Sequence, residues 1–118
     1  MMNNLKERTK TFAHNCIKLS LEFPNSYLGN HIKGQLIRCS TSVAANYRAA
    51  CLAQSKNSFI AKISIVVEEV DESHFWIEFA ITEQLISGIN CNSMLKEADE
   101  LTRIFISSRK TAKLGSNN

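Results

Sequence analysis

The sequence predicts an all-α domain, an antiparallel up-down-up-down four-helix bundle, and three observations carry that prediction. Apolar residues recur at helical spacing through almost all of the 118 residues. Turn-forming residues fall between the periodic stretches in short clusters, around Pro24, Ser55 and Gly88. No segment shows the two-residue alternation of a half-buried strand. At 44% hydrophobic residues the chain fits one domain whose core needs neither disulfides nor metal. We place the bundle at residues 1–114 and a disordered C-terminal tail at 115–118.

The first helix presents Leu5, Thr9, Phe12, Cys16, Leu19 and Phe23 at alternating spacings of four and three, a single face. Pro24, the only proline, stops it, and Asn25, Ser26, Gly29 and Asn30 read as a tight turn. The second helix resumes near His31 and runs through Ile32, Leu36, Cys39, Val43, Asn46, Ala50 and Ala53. Its inward positions are read as small (Cys39, Ser40, Ser42, Ala44, Ala45, Ala49, Ala50), which lets a neighbouring helix approach closely.

Ser55 is placed to cap the third helix. That helix has the longest seam, Phe59, Ile63, Val66, Val70, Ser73, Ile77, Ala80 and Gln84, and about 30 helical residues span roughly 45 Å. A second line, Ile60, Val67, His74 and Ile81, runs beside it, and Phe75, Trp76 and Phe79 spread apolar surface in a third direction. One core does not cover all three, so these aromatics are expected at a subunit interface. After Gly88 and the Asn90–Ser93 stretch, a fourth helix is expected from Ser93, carrying Leu95, Ala98, Leu101, Thr102, Phe105 and Ser108 inward.

The formal charge of +3 hides an asymmetry. Residues 1–67 hold nine Lys/Arg against Glu7 and Glu22, while residues 68–118 hold five against nine carboxylates. Such a layout fits solvated helix faces, an anionic partner, or the basic part of one subunit against the acidic part of another. Glu68, Glu69, Asp71 and Glu72 crowd one helix. Arg38, Arg48, Lys56 and Lys62 are the cations expected to offset them across an antiparallel hairpin. Asn46, at a seam position, together with Glu69 and Glu72, is expected to act as a buried polar, register-setting group.

Cys16, Cys39, Cys51 and Cys91 show no C-x-x-C spacing, and most fall at apolar helical positions, which points to reduced thiols. The opening MMNNLKERTK lacks an apolar signal core, and no run of 18 apolar residues exists. A cytoplasmic protein with no membrane association is the expectation.

Little in the chain resembles a reaction centre. A di-iron bundle needs Glu-x-x-His pairs, and the nearest match is Asp71-x-x-His74, with Glu97 and Glu100 on another helix. His14 and Cys16 point to different sides of their helix, so they do not ligate jointly. No nucleophile beside an oriented base and no phosphate-cradling glycine loop is present. The reading is a non-enzyme with no catalytic residues, no metal and no cofactor.

Several segments, taken in order, carry a family resemblance: Gln35-Leu36-Ile37-Arg38, Thr41-Ser42-Val43, Ala45-Asn46-Tyr47-Arg48, Phe59-Ile60-Ala61-Lys62, Glu68-Glu69, Asp71-Glu72-Ser73, Phe75-Trp76-Ile77-Glu78 and Leu95–Phe105. Over nearly its whole length the chain resembles the four-helix-bundle family named for proteins encoded in intervening sequences of bacterial 23S ribosomal RNA. It departs from the pattern at Ser40 and Ala44, where glycine is usual, and at Ala49 and Ser58, where an acid is.

The resemblance implies a ring, commonly a homopentamer with a central channel. A related branch, the accessory variability determinant of diversity-generating retroelements, implies a basic barrel that binds a reverse transcriptase and nucleic acid. Carried over, it makes this chain an adaptor for RNA, DNA or a nucleic-acid-handling protein. Phosphate contacts would come from Lys6, Arg8, Lys10, Arg38 and Arg48, or from the Arg109, Lys110 and Lys113 end. The alternative is a purely structural homo-oligomer without a nucleic-acid role.

Overall fold

In the computed structural model, which describes residues 4–115, four helices follow in order: α1 (Asn4–Ser20), α2 (Tyr27–Cys51), α3 (Lys56–Thr82) and α4 (Asn92–Gly115). A 3-10 turn, Gly88–Cys91, leads into α4. Each helix packs mainly on its neighbours in sequence, and α1 meets α4 only lightly. The result is a rod of 52 × 22 × 22 Å. No strand forms among the described residues.

The packing is antiparallel. Along the α2/α3 interface Cys39 meets Ser73 and Ser42 meets Glu69, so numbers rise on one helix as they fall on the other. The same holds for α3 and α4, where Ser64 meets Arg109 and His74 meets Asp99.

The expected face of α1 forms almost as written: Thr9, Phe12, Cys16, Leu19 and Phe23 are buried, with Leu5 packed against them. On α3, Ile63, Val66, Val70, Ser73, Ile77 and Ala80 are fully buried. The seam stops there, because Gln84 lies beyond the helix in the left-handed region (φ 60°). The Leu85 N–H bonds back to the Ala80 carbonyl, so Gln84 holds a C-terminal position that glycine would fill with less strain.

Two helix starts differ from the sequence reading. Helix α2 begins at Tyr27 rather than near His31, because the Ser26 hydroxyl accepts the Gly29 N–H and caps it. Gly29 is in that first turn because the chain doubles back there: a Cβ would stand 2.1 Å from the Pro24 carbonyl oxygen. Helix α4 starts at Asn92, one residue before the expected Ser93, since the 3-10 turn capped by Ser87 runs directly into it. Ser55 caps α3 as expected. Gly115 is the last residue of α4, so the first residue of the expected tail is helical; residues 116–118, like 1–3, lie outside the described residues.

The small residues of α2 do not all face inward. Cys39, Ser40 and Ala50 are buried, but Ala45 is exposed and Ser42, Ala44 and Ala49 are half-buried. They divide between the core and a groove against α1.

Candidate functional site

Two polar clusters lock helices together. At the α2/α3 interface Arg38 bonds Glu72 and reaches Glu69 at 3.4 Å. Glu72 also accepts the indole N–H of Trp76 at 3.1 Å. The Arg38 hydrogen bond, with that of Trp76 behind it, holds the Glu72 carboxyl below its ordinary range. Ser42 donates to Glu69 at 3.3 Å, and Asn46 donates to the Ser42 hydroxyl and carbonyl at 2.9 and 3.0 Å. Asn46 is therefore half-buried and acts through Ser42, making no direct bond to α3.

The second cluster is Arg8, whose guanidinium bonds Glu97 at 2.7 Å and Glu100 at 2.6 Å, bridging α1 to α4. The Glu97 bond is the largest influence raising its already high pKa. Such a forked, two-carboxylate contact uses the planar geometry that distinguishes arginine from lysine. Sequence periodicity does not reveal it, because it joins residues 89 and 92 apart on helices that scarcely touch.

His74, the residue nearest to a di-iron pattern, lies between Glu78 (3.4 Å) and Asp99 (3.3 Å), while Glu97 and Glu100 face Arg8. Asp71 is exposed. Among the described residues no three His, Cys, Asp or Glu side chains converge as a metal site would require. Cys16, Cys39 and Cys91 are buried and Cys51 is exposed, all as free thiols. Burial pushes the Cys39 thiol up to about 11, and the Cys16 thiol up as well.

Most of the remaining cations gather toward one end of the rod, where α1 and α3 begin and α2 and α4 finish; Lys18, Lys33 and Lys96 lie toward the other. Besides Arg8, residues 4–10, 48–62 and 103–115 hold nine Lys/Arg and one carboxylate, Glu7. The helices are held together there: Arg109 donates to Ser64 at 3.4 Å, and a Cβ at Gly115 would lie 3.3 Å from the Lys56 ammonium. Two surface hollows lie in this region. One, of about 480 Å³ between α1 and α2, has a floor of Thr41, Ala44 and Ala45 and a rim of Lys6, Glu7, Lys10 and Arg48. The other, of about 290 Å³ on α4, is lined by Ile106, Arg109, Lys110, Lys113 and Leu114.

Of the eight basic residues singled out in the sequence, Arg8 and Arg38 are thus held by carboxylates of the same chain. Lys6, Lys10 and Arg48 come together in the groove, and Arg109, Lys110 and Lys113 in the α4 hollow. The aromatic trio forms a ledge: Phe75 packs edge-on against Trp76 at 4.9 Å, and both touch Phe79. Phe75 and Phe79 are 49% and 38% exposed, whereas Trp76 is half-buried, with its edge against His31. None of the described helices is long and apolar enough to cross a membrane.

A family model for the 23S rRNA-intervening sequence protein matches residues 3–107. The chain is also similar to a solved structure of a protein with unknown function from the S23 ribosomal protein family of Bacteroides thetaiotaomicron. That likeness has a TM-score of 0.83 at 29% identity and covers 90% of this chain and 98% of the other. No curated protein matches.

Proposed function

The chain belongs to the 23S rRNA-intervening sequence protein family, and from that premise we propose that it is a non-enzymatic, self-assembling bundle whose basic end binds nucleic acid. The observation that supports this most directly is the segregation of charge: nine Lys/Arg against Glu7 toward one end, besides Arg8, which Glu97 and Glu100 offset, in a chain whose net charge is only +3. A concentrated positive end attracts a polyanion even where the total charge is small. Within it, Arg109, Lys110 and Lys113 project from the last turns of α4 beside Ile106 and Leu114. Phosphate contacts of this kind carry no sequence information, so binding is expected to be unspecific for base.

The test is binding of mixed-sequence RNA and DNA over a salt series. The expected outcome is affinity that falls steeply and log-linearly with salt, and that is largely lost in Arg109→Glu/Lys110→Glu. Flat, undetectable binding at the lowest ionic strength overturns the reading.

A second reading, a structural homo-oligomer with no nucleic-acid role, is favoured by Phe75 and Phe79, which the subunit leaves exposed. Self-assembly belongs to both readings, and a closed ring, such as a homopentamer, is its expected form. Light scattering on Phe75→Ser/Phe79→Ser is expected to show a fall in molar mass with helical content retained. Mass that stays at the wild-type value overturns the role of the aromatic ledge.

A further inference from the structure

We propose that the α1/α2 groove is the docking site for the outward face of α3 on a second copy of this chain, with Phe75 of that copy entering the groove and Glu68 and Asp71 meeting its cationic rim. The inference rests on the self-assembly reading above and names the two surfaces that would carry it.

The subunit's own ion pairs leave charges over on two of its surfaces. They take Arg8 with Glu97 and Glu100 and Arg38 with Glu69 and Glu72, and the His74 ring lies 3.4 and 3.3 Å from Glu78 and Asp99. Among the described residues, Lys6, Lys10 and Arg48 on one side and Glu68 and Asp71 on the other make no such contact. Lys6, Lys10 and Arg48 ring one groove and Glu68 and Asp71 lie on one helix face, so each of these two surfaces carries the charge that complements the other.

Shape agrees with charge. A floor of Thr41, Ala44 and Ala45 projects little beyond the backbone, which is what a helix ridge needs to approach at ordinary interaxial distance. Glu68, Asp71 and Phe75 are spaced by three and four, so they form one ridge. From Glu68 to Phe75, and from Thr41 to Arg48, the rise is about 10 Å in each case, so ridge and groove match in length. Phe75 supplies the apolar body: it is 49% exposed on its own subunit and is flanked by Asp71 one turn before it. Glu7, the one carboxylate in the groove, opposes the incoming acids and is outnumbered three to one at the rim.

Groove and ridge are different surfaces of one subunit, so their contact is heterologous. Every copy then offers a free groove and a free ridge until the assembly closes on itself.

Sign reversal tests this on the full chain. Lys10→Glu/Arg48→Glu and Glu68→Lys/Asp71→Lys alter exposed positions only, so helical content by circular dichroism is expected to stay at the wild-type level in both. Each pair is expected to drop the mass in light scattering toward that of one chain, 13.3 kDa, at concentrations where the wild type is assembled. The chain carrying all four reversals, in which both signs are swapped together, is expected to regain the wild-type mass. A wild type that is monomeric overturns both this inference and the assembly reading. An assembled wild type whose mass neither pair changes overturns the docking alone, as does a four-reversal chain that stays a single copy. Loss of oligonucleotide binding in Lys10→Glu/Arg48→Glu without any fall in mass assigns the groove to nucleic acid instead, and also overturns it.

Discussion

Helix α2 packs against α1 on one side and α3 on the other, and the two interfaces end differently. Against α3 it closes along its length, with Leu36, Cys39 and Val43 fully buried and the Arg38, Glu69 and Glu72 cluster at the rim. Against α1 it closes from the turn where Gly29 lies under the Pro24 carbonyl through the middle, where Cys16 and Ser40 are fully buried, and opens only toward Arg48, into a groove of about 480 Å³. Both sides are lined by small residues of the same helix. What distinguishes them is what faces those residues: branched aliphatic side chains and carboxylates from α3, but Lys6, Glu7 and Lys10 from α1, which extend into solvent and leave the floor uncovered. Small residues permit close approach; they do not compel it.

The sharpest way to break this contrast is to remove volume from the closed side and add it to the open one. Leu36→Ala and Ile63→Ala empty fully buried positions at the α2/α3 interface, and each is expected to cost about 2–5 kcal/mol in denaturant unfolding. In the separated chain, Ala45→Leu adds three carbons on the exposed floor and is expected to leave folding stability within about 0.5 kcal/mol, because nothing of its own subunit is displaced. A large loss from Ala45→Leu would mean that the groove is closed in solution.

Two glycines of α2, one covered and one exposed, make a similar contrast at a smaller scale. Gly29→Ala places a Cβ 2.1 Å from backbone oxygen, so the turn after Pro24 must shift; a loss of about 1–3 kcal/mol is expected. Gly34→Ala, one and a half turns further along α2, meets nothing within 4 Å and is expected to stabilise by about 0.5–1 kcal/mol through helix propensity. Comparing the melting midpoints of the two variants checks both signs at once.

Much of the core was legible in the sequence. The periodicity of Thr9 to Phe23 and of Ile63 to Ala80 marks positions that are buried, and the Ser55 cap needs only local information. The start of α2 was not legible, because Gly29 and Asn30 look like turn-formers until the overhead Pro24 carbonyl explains why a glycine belongs inside a helix. Nor was the open side. Runs such as Ala44-Ala45 have the same composition whether a neighbour covers them or not, so small residues read as uniformly inward. Arg8 illustrates the same limit for charge, since its partners lie on the helix farthest from it in sequence.

The smallest expected effect tests whether the polar rim of the closed side stabilises it or only sets its register. The Arg38 and Trp76 bonds depress the Glu72 pKa in the folded chain below its ordinary 4.5. A carboxylate depressed by folding binds protons more weakly there than in the unfolded chain, so its contribution is fully present above about pH 4.5. The contribution is lost as the pH falls through the lower folded value. Because Arg38 and Glu72 are both well exposed, solvent screens the pair, and the contribution is expected to be at most about 1 kcal/mol. Glu72→Gln keeps the shape of the side chain while removing that titration. Stability measured against pH is expected to fall less steeply below pH 4.5 in this variant than in the wild type, and to differ little between the two once the carboxylate is protonated. Parallel curves across the whole acid range would show that Glu72 titrates as it does in the unfolded chain, and that apolar burial alone accounts for the closure of α2 on α3.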